Sequence, residues 1–169
     1  MGRGFEAGKA FLPQLLMAAD AASAAFEVVR RALAAQGGDA KKKGPVILAT
    51  VKGDVHDIGK NIVRALLENY GFDVIDLGRD VPPGRVVEAA LKNHCRLVGL
   101  SALMTTTLPA MEETIRRLRE ADPEIRTLVG GAVLTEDYAR SIGATWYAKD
   151  AMATVRIAEK NSGLFSASP

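Results

Sequence analysis

The sequence predicts an α/β domain, a five-stranded parallel sheet covered on both faces, with a partial helical cap in front of it. Three observations carry this. Short apolar runs alternate with helix-periodic stretches from Val46 to Lys160. Glycine and proline recur between them. A glycine- and lysine-rich stretch, 36–45, separates this region from an upstream amphipathic helix.

Upstream, Phe11, Leu15, Ala18, Ala22, Phe26, Val29 and Leu33 recur at steps of three and four, the pattern of one helical face. Pro13 sits in the first turn, where its missing N–H costs nothing, and Gly37 is a stop signal. One amphipathic helix cannot bury its own face and must pack on something. The expected layout is a truncated cap over 1–36, a solvated linker over 37–45, the α/β domain over 46–160 and a frayed tail over 161–169.

Within the domain, 46–50 is a short apolar run and reads as a buried strand. Residues 58–70 read as a helix closed by Gly71, with Asp57 as its cap, and 72–77 as a strand. Pro82 and Pro83 open a helix reaching about Asn93. Then come strand 97–100, helix 108–120 with Pro109 in its first turn, and strand 125–129. Thr135 caps a short helix, 145–147 is the last strand, and Asp150 caps helix 151–160. Strict alternation implies right-handed crossovers and a parallel sheet. The five-strand order that fits is flavodoxin-like (Rossmann-like). Its ligand crevice lies at the carboxyl ends of the strands, near the switch between the first and third.

Charge and composition narrow the function classes. The chain has 22 basic and 20 acidic residues, a net charge of +2, with the signs mixed. That gives no footprint for nucleic acid or an anionic membrane. No apolar run approaches the ~20 residues that span a bilayer, and the N-terminus lacks a signal-peptide stretch. The single cysteine, Cys95, excludes internal disulfides and cysteine-rich zinc sites. A cytoplasmic location is expected.

The chemistry-bearing residues fall on three loops that leave the same sheet edge. After the first strand come Asp54, Val55, His56, Asp57, Ile58 and Gly59. After the third come Ser101, Leu103, Thr105 and Thr107, and after the fourth Gly130 and Gly131. Small and hydroxyl residues there would let a bulky ligand approach the backbone.

The pattern Asp54-x-His56-x-x-Gly59, then Ser101-x-Leu103, then Gly130-Gly131 resembles the signature of cobalamin-binding domains. The wording from Asp54 to Asn61 is closest to the methyl-transferring branch, the cobalamin-dependent methionine synthases and corrinoid methyltransferase proteins. The segment from Gly8 to Gln14 resembles that branch's helical cap, and 148–153 is similar to bacterial-type methionine synthases. The resemblance covers nearly the whole chain.

It implies that His56 replaces the cofactor's own base as lower ligand of cobalt. Asp54 would hold the other ring nitrogen, and Thr107 would complete a proton relay. Val55, Asp57, Ile58, Gly59, Ser101, Leu103, Thr105, Gly130 and Gly131 would contact the cofactor or make room for its nucleotide tail. Phe11 and Leu15 would shield the upper face. The implied cofactor is cobalamin, as methylcobalamin, and the implied partners are methyl-donor and methyl-acceptor domains or subunits. Homocysteine is the favoured acceptor. A methanol, methylamine or methoxyaromatic corrinoid protein is the alternative, and the cofactor domain of an adenosylcobalamin mutase is another. Family members usually carry a four-helix cap, whereas this chain has one full helix and a stub. That helix face is therefore expected to self-associate or bind another subunit.

Other residues have blander readings. Thr105, Thr106 and Thr107 would merely cap the next helix. His94 and Cys95 are structural. Arg116, Arg117 and Arg119 form a solvated face, and Trp146 packs at the sheet edge.

Overall fold

The computed structural model describes residues 43–164 together with Phe11, Met17 and Ala21. Within 43–164, strands and helices alternate. They are β1 (Pro45–Thr50), α1 (Ile58–Asn69), β2 (Asp73–Asp76), α2 (Pro83–Lys92), β3 (Leu97–Ser101), α3 (Leu108–Ala121), β4 (Arg126–Gly130), α4 (Glu136–Ser141), β5 (Trp146–Tyr147) and α5 (Ala151–Lys160). The sheet order is β2-β1-β3-β4-β5, and every pairing is parallel. The flavodoxin-like expectation is met, with the switch between β1 and β3. Apart from Phe11, Met17 and Ala21, the predicted N-terminal helix lies outside the described residues, as does its self-association face. Leu15 and the tail beyond Leu164 do too. Asn161 leads into a 3-10 turn, Ser162–Leu164.

Alternation along each strand divides the core into two layers. Ile47, Ala49, Val98, Leu100 and Val129 pack with α2, α3 and α4, whose Val86, Met111, Ile115 and Leu118 are buried. Val46, Leu48, Leu97 and Leu128 face the other way, onto Leu66 and Leu67 of α1 and Val155 and Ala158 of α5. Each fully buried side chain of this size contributes about 1.5–3 kcal/mol relative to exposure.

The second layer thins toward the carboxyl edge. On its face Leu48 pairs with Gly99 and Gly99 with Leu128. One step further, Thr50 pairs with Ser101 and Ser101 with Gly130. Small side chains replace large ones there, so α1 and α5 cannot close on the sheet and a slot remains between them.

Helix starts separate by backbone conformation. Thr135 (φ −120°, ψ 160°) and Asp150 (φ −154°, ψ 171°) are extended, and their side chains accept from Tyr138 N and Ala153 N. Asp57 has φ −119° and ψ 0° and makes no side-chain cap bond. Its expected capping role is corrected: capping geometry needs an extended backbone, which this turn does not supply. Thr107 likewise makes no cap bond to α3. Thr105–Thr107 instead form a 3-10 turn that runs into it.

The end of the expected linker belongs to the domain. Lys43 donates to Glu159 at 2.6 Å, and its ammonium lies 5.9 Å from the Tyr70 ring centre and 5.5 Å from that of Phe72. Cys95 is structural as expected. It is buried, its Sγ lies 3.1 Å from the Leu97 carbonyl, and burial raises its pKa. Arg116 and Arg117 pair with Glu113 on an exposed face, and Arg119 donates to the Gly143 carbonyl.

Candidate functional site

The loop from β1 to α1 turns at Gly53, whose φ of +84° favours glycine. That turn directs Asp54 inward, where it is fully buried. Its carboxylate joins two loops. Oδ1 accepts from His56 N at 3.0 Å and lies 2.8 Å from His56 Nδ1. Oδ2 accepts from Leu103 N at 2.7 Å, Met104 N at 3.3 Å and Thr107 Oγ1 at 3.2 Å. Burial alone would raise its pKa. The amides of His56 and Leu103, the His56 ring and the Met104 amide overcome that and hold it at about 2.

This settles the histidine tautomer. An ionised carboxylate only accepts, so Nδ1 must carry the hydrogen in that 2.8 Å bond. In the neutral ring the lone pair is then on Nε2. Nε2 has no hydrogen-bond partner among the described residues, and the His56 side chain is 45% exposed. The result is a nitrogen donor held at the sheet edge and aimed away from its anchor.

Thr107 is placed where the relay expectation put it, but its single hydrogen has two acceptors. Met104 O lies at 2.8 Å and Asp54 Oδ2 at 3.2 Å. The carbonyl is nearer, the carboxylate carries the charge, and the hydroxyl hydrogen is shared between them.

Below His56 the slot forms a cavity of about 730 Å³. One wall is the sheet, with Leu48, Gly99, Ser101, Leu128 and Gly130. The other is α1 and α5, with Val63, Met152 and Thr154. Val55, His56, Asp57, Ile58, Gly59, Leu103 and Gly131 line it as well, so most of the predicted residues come together. Val55, Ile58 and Leu103 are apolar yet exposed, and they line the same cavity as His56.

For three predicted residues the structure adds a separate observation. Gly131 is required by the chain itself: at φ +144° a Cβ would collide with the Ala102 carbonyl. Thr105 is exposed and outside the cavity wall, and Phe11 is exposed and also outside it. Sequence reasoning missed Thr50, whose Oγ1 lies 3.2 Å from Ser101 Oγ. It also missed Gly99 and Lys60. A glycine inside a strand signals close approach, and that signal was present at Gly99.

A family model described as the B12 binding domain matches residues 44–156. The chain belongs to that family. This B12-binding domain is 44% identical over 158 residues to dimethylamine corrinoid protein 1 of Methanosarcina acetivorans, covering 92% of this chain and 74% of that protein. Its fold superposes with a TM-score of 0.82 on the crystal structure of a cobalamin-binding protein from Desulfitobacterium hafniense, at 33% identity, covering 94% of this chain and 75% of that one. A TM-score of 0.81 relates it to the methanol:cobalamin methyltransferase complex MtaBC of Methanosarcina barkeri, at 37% identity, covering 95% of this chain and 61% of that one. No described helix of the domain is long and apolar enough to cross a membrane.

The site fits the family's ligand on its own geometry. It offers an unpartnered imidazole nitrogen, exposed apolar residues in the same lining, and a slot walled in part by Gly99 and Gly130.

Proposed function

We propose that this B12-binding domain is the methyl-carrying corrinoid protein of a methylamine-type methyltransferase system, holding cobalamin with His56 as lower ligand. One observation carries the chemistry: the buried Asp54 carboxylate fixes His56 with its lone pair on the outward nitrogen. Cobalamin, when bound, supplies a cobalt that accepts and gives up a methyl group. The protein's residues bind, orient and shield. His56 presents Nε2, and Asp54 holds the ring in one tautomer and raises its basicity as a donor. Val55, Ile58 and Leu103 offer the corrin an apolar seat that excludes water. The slot past Ser101, Gly99 and Gly130 takes the nucleotide tail.

With Asp54 at about 2, the relay's proton rides on the imidazole rather than on the carboxylate near neutral pH. Thr107 steadies the carboxylate with a hydroxyl hydrogen that it shares between Asp54 Oδ2 and Met104 O.

The methylamine reading stands ahead of homocysteine because of the dimethylamine corrinoid relative. Methanol is the second reading, favoured by the likeness to the methanol complex. Delivery and removal of the methyl group fall to partner methyltransferase subunits. The test is to load the protein with hydroxocobalamin, reduce it, and add a dimethylamine methyltransferase with dimethylamine. Conversion of the visible spectrum to that of methylcobalamin supports the reading. Conversion only with a methanol methyltransferase and methanol supports the second, and no conversion with either refutes both.

A further inference from the structure

We infer that the buried Lys60–Asp76 ion pair is a positioning brace that holds the His56 loop in register with the sheet. Lys60 lies in the first turn of α1, one helical turn after His56, and is 4% exposed. Its Nζ donates to both Asp76 oxygens at 2.6 Å and to Asn61 Oδ1 at 2.9 Å. These bonds use all three ammonium hydrogens. Lys60 lines the cavity, yet it has no donor left for an anion in it. Its role is therefore not to grip a ligand.

The pair also closes a circuit of bonds around the loop. Asp76 Oδ1 accepts from Gly78 N at 2.9 Å, and Gly78 O accepts from Thr50 N at 3.0 Å. Two residues on, Asp80 N donates to Asp54 O at 2.9 Å, and Asp80 Oδ1 accepts from Gly53 N at 2.7 Å. The loop that carries His56 is thus tied on one side to the β2–α2 loop. On its other side, α1 starts without a side-chain cap at Asp57. The ion pair fastens that uncapped first turn to the end of β2.

A buried ion pair is a poor source of net stability, because desolvation offsets the attraction and apolar replacements are often neutral or better. What it supplies is direction: a short, charge-assisted contact to both carboxylate oxygens tolerates little displacement. In a slot kept open for a ligand, apolar packing cannot provide that direction. This inference rests on His56 being the cobalt ligand, and its test separates the two claims.

The test compares wild type with Lys60→Met and with Lys60→Met/Asp76→Met, first without cofactor. Hydrogen–deuterium exchange at amides 55–60 is expected to speed at least tenfold in both variants, while β1 and β3 amides keep their rates. Loaded with cob(II)alamin, both variants should show a histidine-nitrogen EPR splitting in a smaller fraction of the cofactor than wild type. If exchange at 55–60 is unchanged, or rises equally across β1, β3 and α1, the pair is not a brace. If the apolar double variant restores wild-type exchange, the charge is irrelevant and the inference is overturned. Should Lys60→Met not fold, Asp76→Asn gives the same local readout, with at least a threefold rise expected and an unchanged rate refuting. A wild-type protein showing no protein nitrogen on cobalt would defeat the functional reading, while the exchange data still decide the brace.

Discussion

Asp54→Asn is the substitution that most sharply probes the site before any cofactor is added. Asparagine keeps the shape of a protonated carboxyl and cannot ionise. Asp54 is buried and its pKa is held at about 2, against an ordinary value of 3.8. At 1.36 kcal/mol per unit, ionisation there contributes about 2.5 kcal/mol to folding at pH 7. The sign follows from the lowered folded value. The contribution is fully present above the unfolded pKa and is lost as pH falls toward 2. At pH 3 about 1.3 kcal/mol should remain. Urea unfolding of wild type and Asp54→Asn, followed by far-UV circular dichroism from pH 7 to pH 3, gives the difference directly. A gap near 2.5 kcal/mol that narrows by about half is expected. A gap below about 0.5 kcal/mol at pH 7, the ordinary surface scale, or one that stays constant with pH, would refute the hub assigned to this carboxylate.

Further predictions concern the glycines and caps. Gly59→Ala meets nothing within 4 Å, so by helix propensity thermal unfolding should show stability unchanged or raised by up to about 1 kcal/mol. If the tail passes Gly59, cobalamin titration should nonetheless show weaker binding. Gly131→Ala places a Cβ against the Ala102 carbonyl at positive φ and should lower stability by about 3 kcal/mol or prevent folding, as read by melting temperature and soluble yield. Asp150→Ala removes the bond to Ala153 N and should cost about 1 kcal/mol, whereas Asp57→Ala, which has no cap bond to lose, should change stability by less than about 0.5 kcal/mol. Equal losses in chemical denaturation for these two would contradict the backbone argument.

The parts of this molecule that depend on local pattern were legible in the sequence. Alternating apolar runs located all five strands, and their strict interleaving with helices gave sheet order and crevice position. The caps at Thr135 and Asp150 were readable because residue type and extended backbone coincide there. Asp57 has the same residue type but a different ψ, which its sequence does not encode locally. His56 and Asp54 are two residues apart, so their bond is a short-range feature.

What escaped notice depends on register. Gly99 opens the slot because Leu48 and Leu128 flank it on the same face, a fact of strand pairing. Lys60 reads as an ordinary polar position on an amphipathic helix. Its burial follows from a carboxylate sixteen residues later that β2 brings alongside. Methyl donor and acceptor are still less visible, because the proposed function leaves their binding to partner subunits. The homocysteine expectation drew on 105–153, whereas a relative matched over nearly the whole chain is a dimethylamine corrinoid protein.

The central claim is that His56 Nε2 bonds cobalt. EPR of the cob(II)alamin-loaded protein, grown with natural and with ¹⁵N-labelled histidine, measures this directly. With His56 on cobalt, nitrogen superhyperfine splitting changes from a triplet to a doublet pattern on labelling and disappears in His56→Ala. A splitting indifferent to the label, arising from the cofactor's own dimethylbenzimidazole, would contradict it.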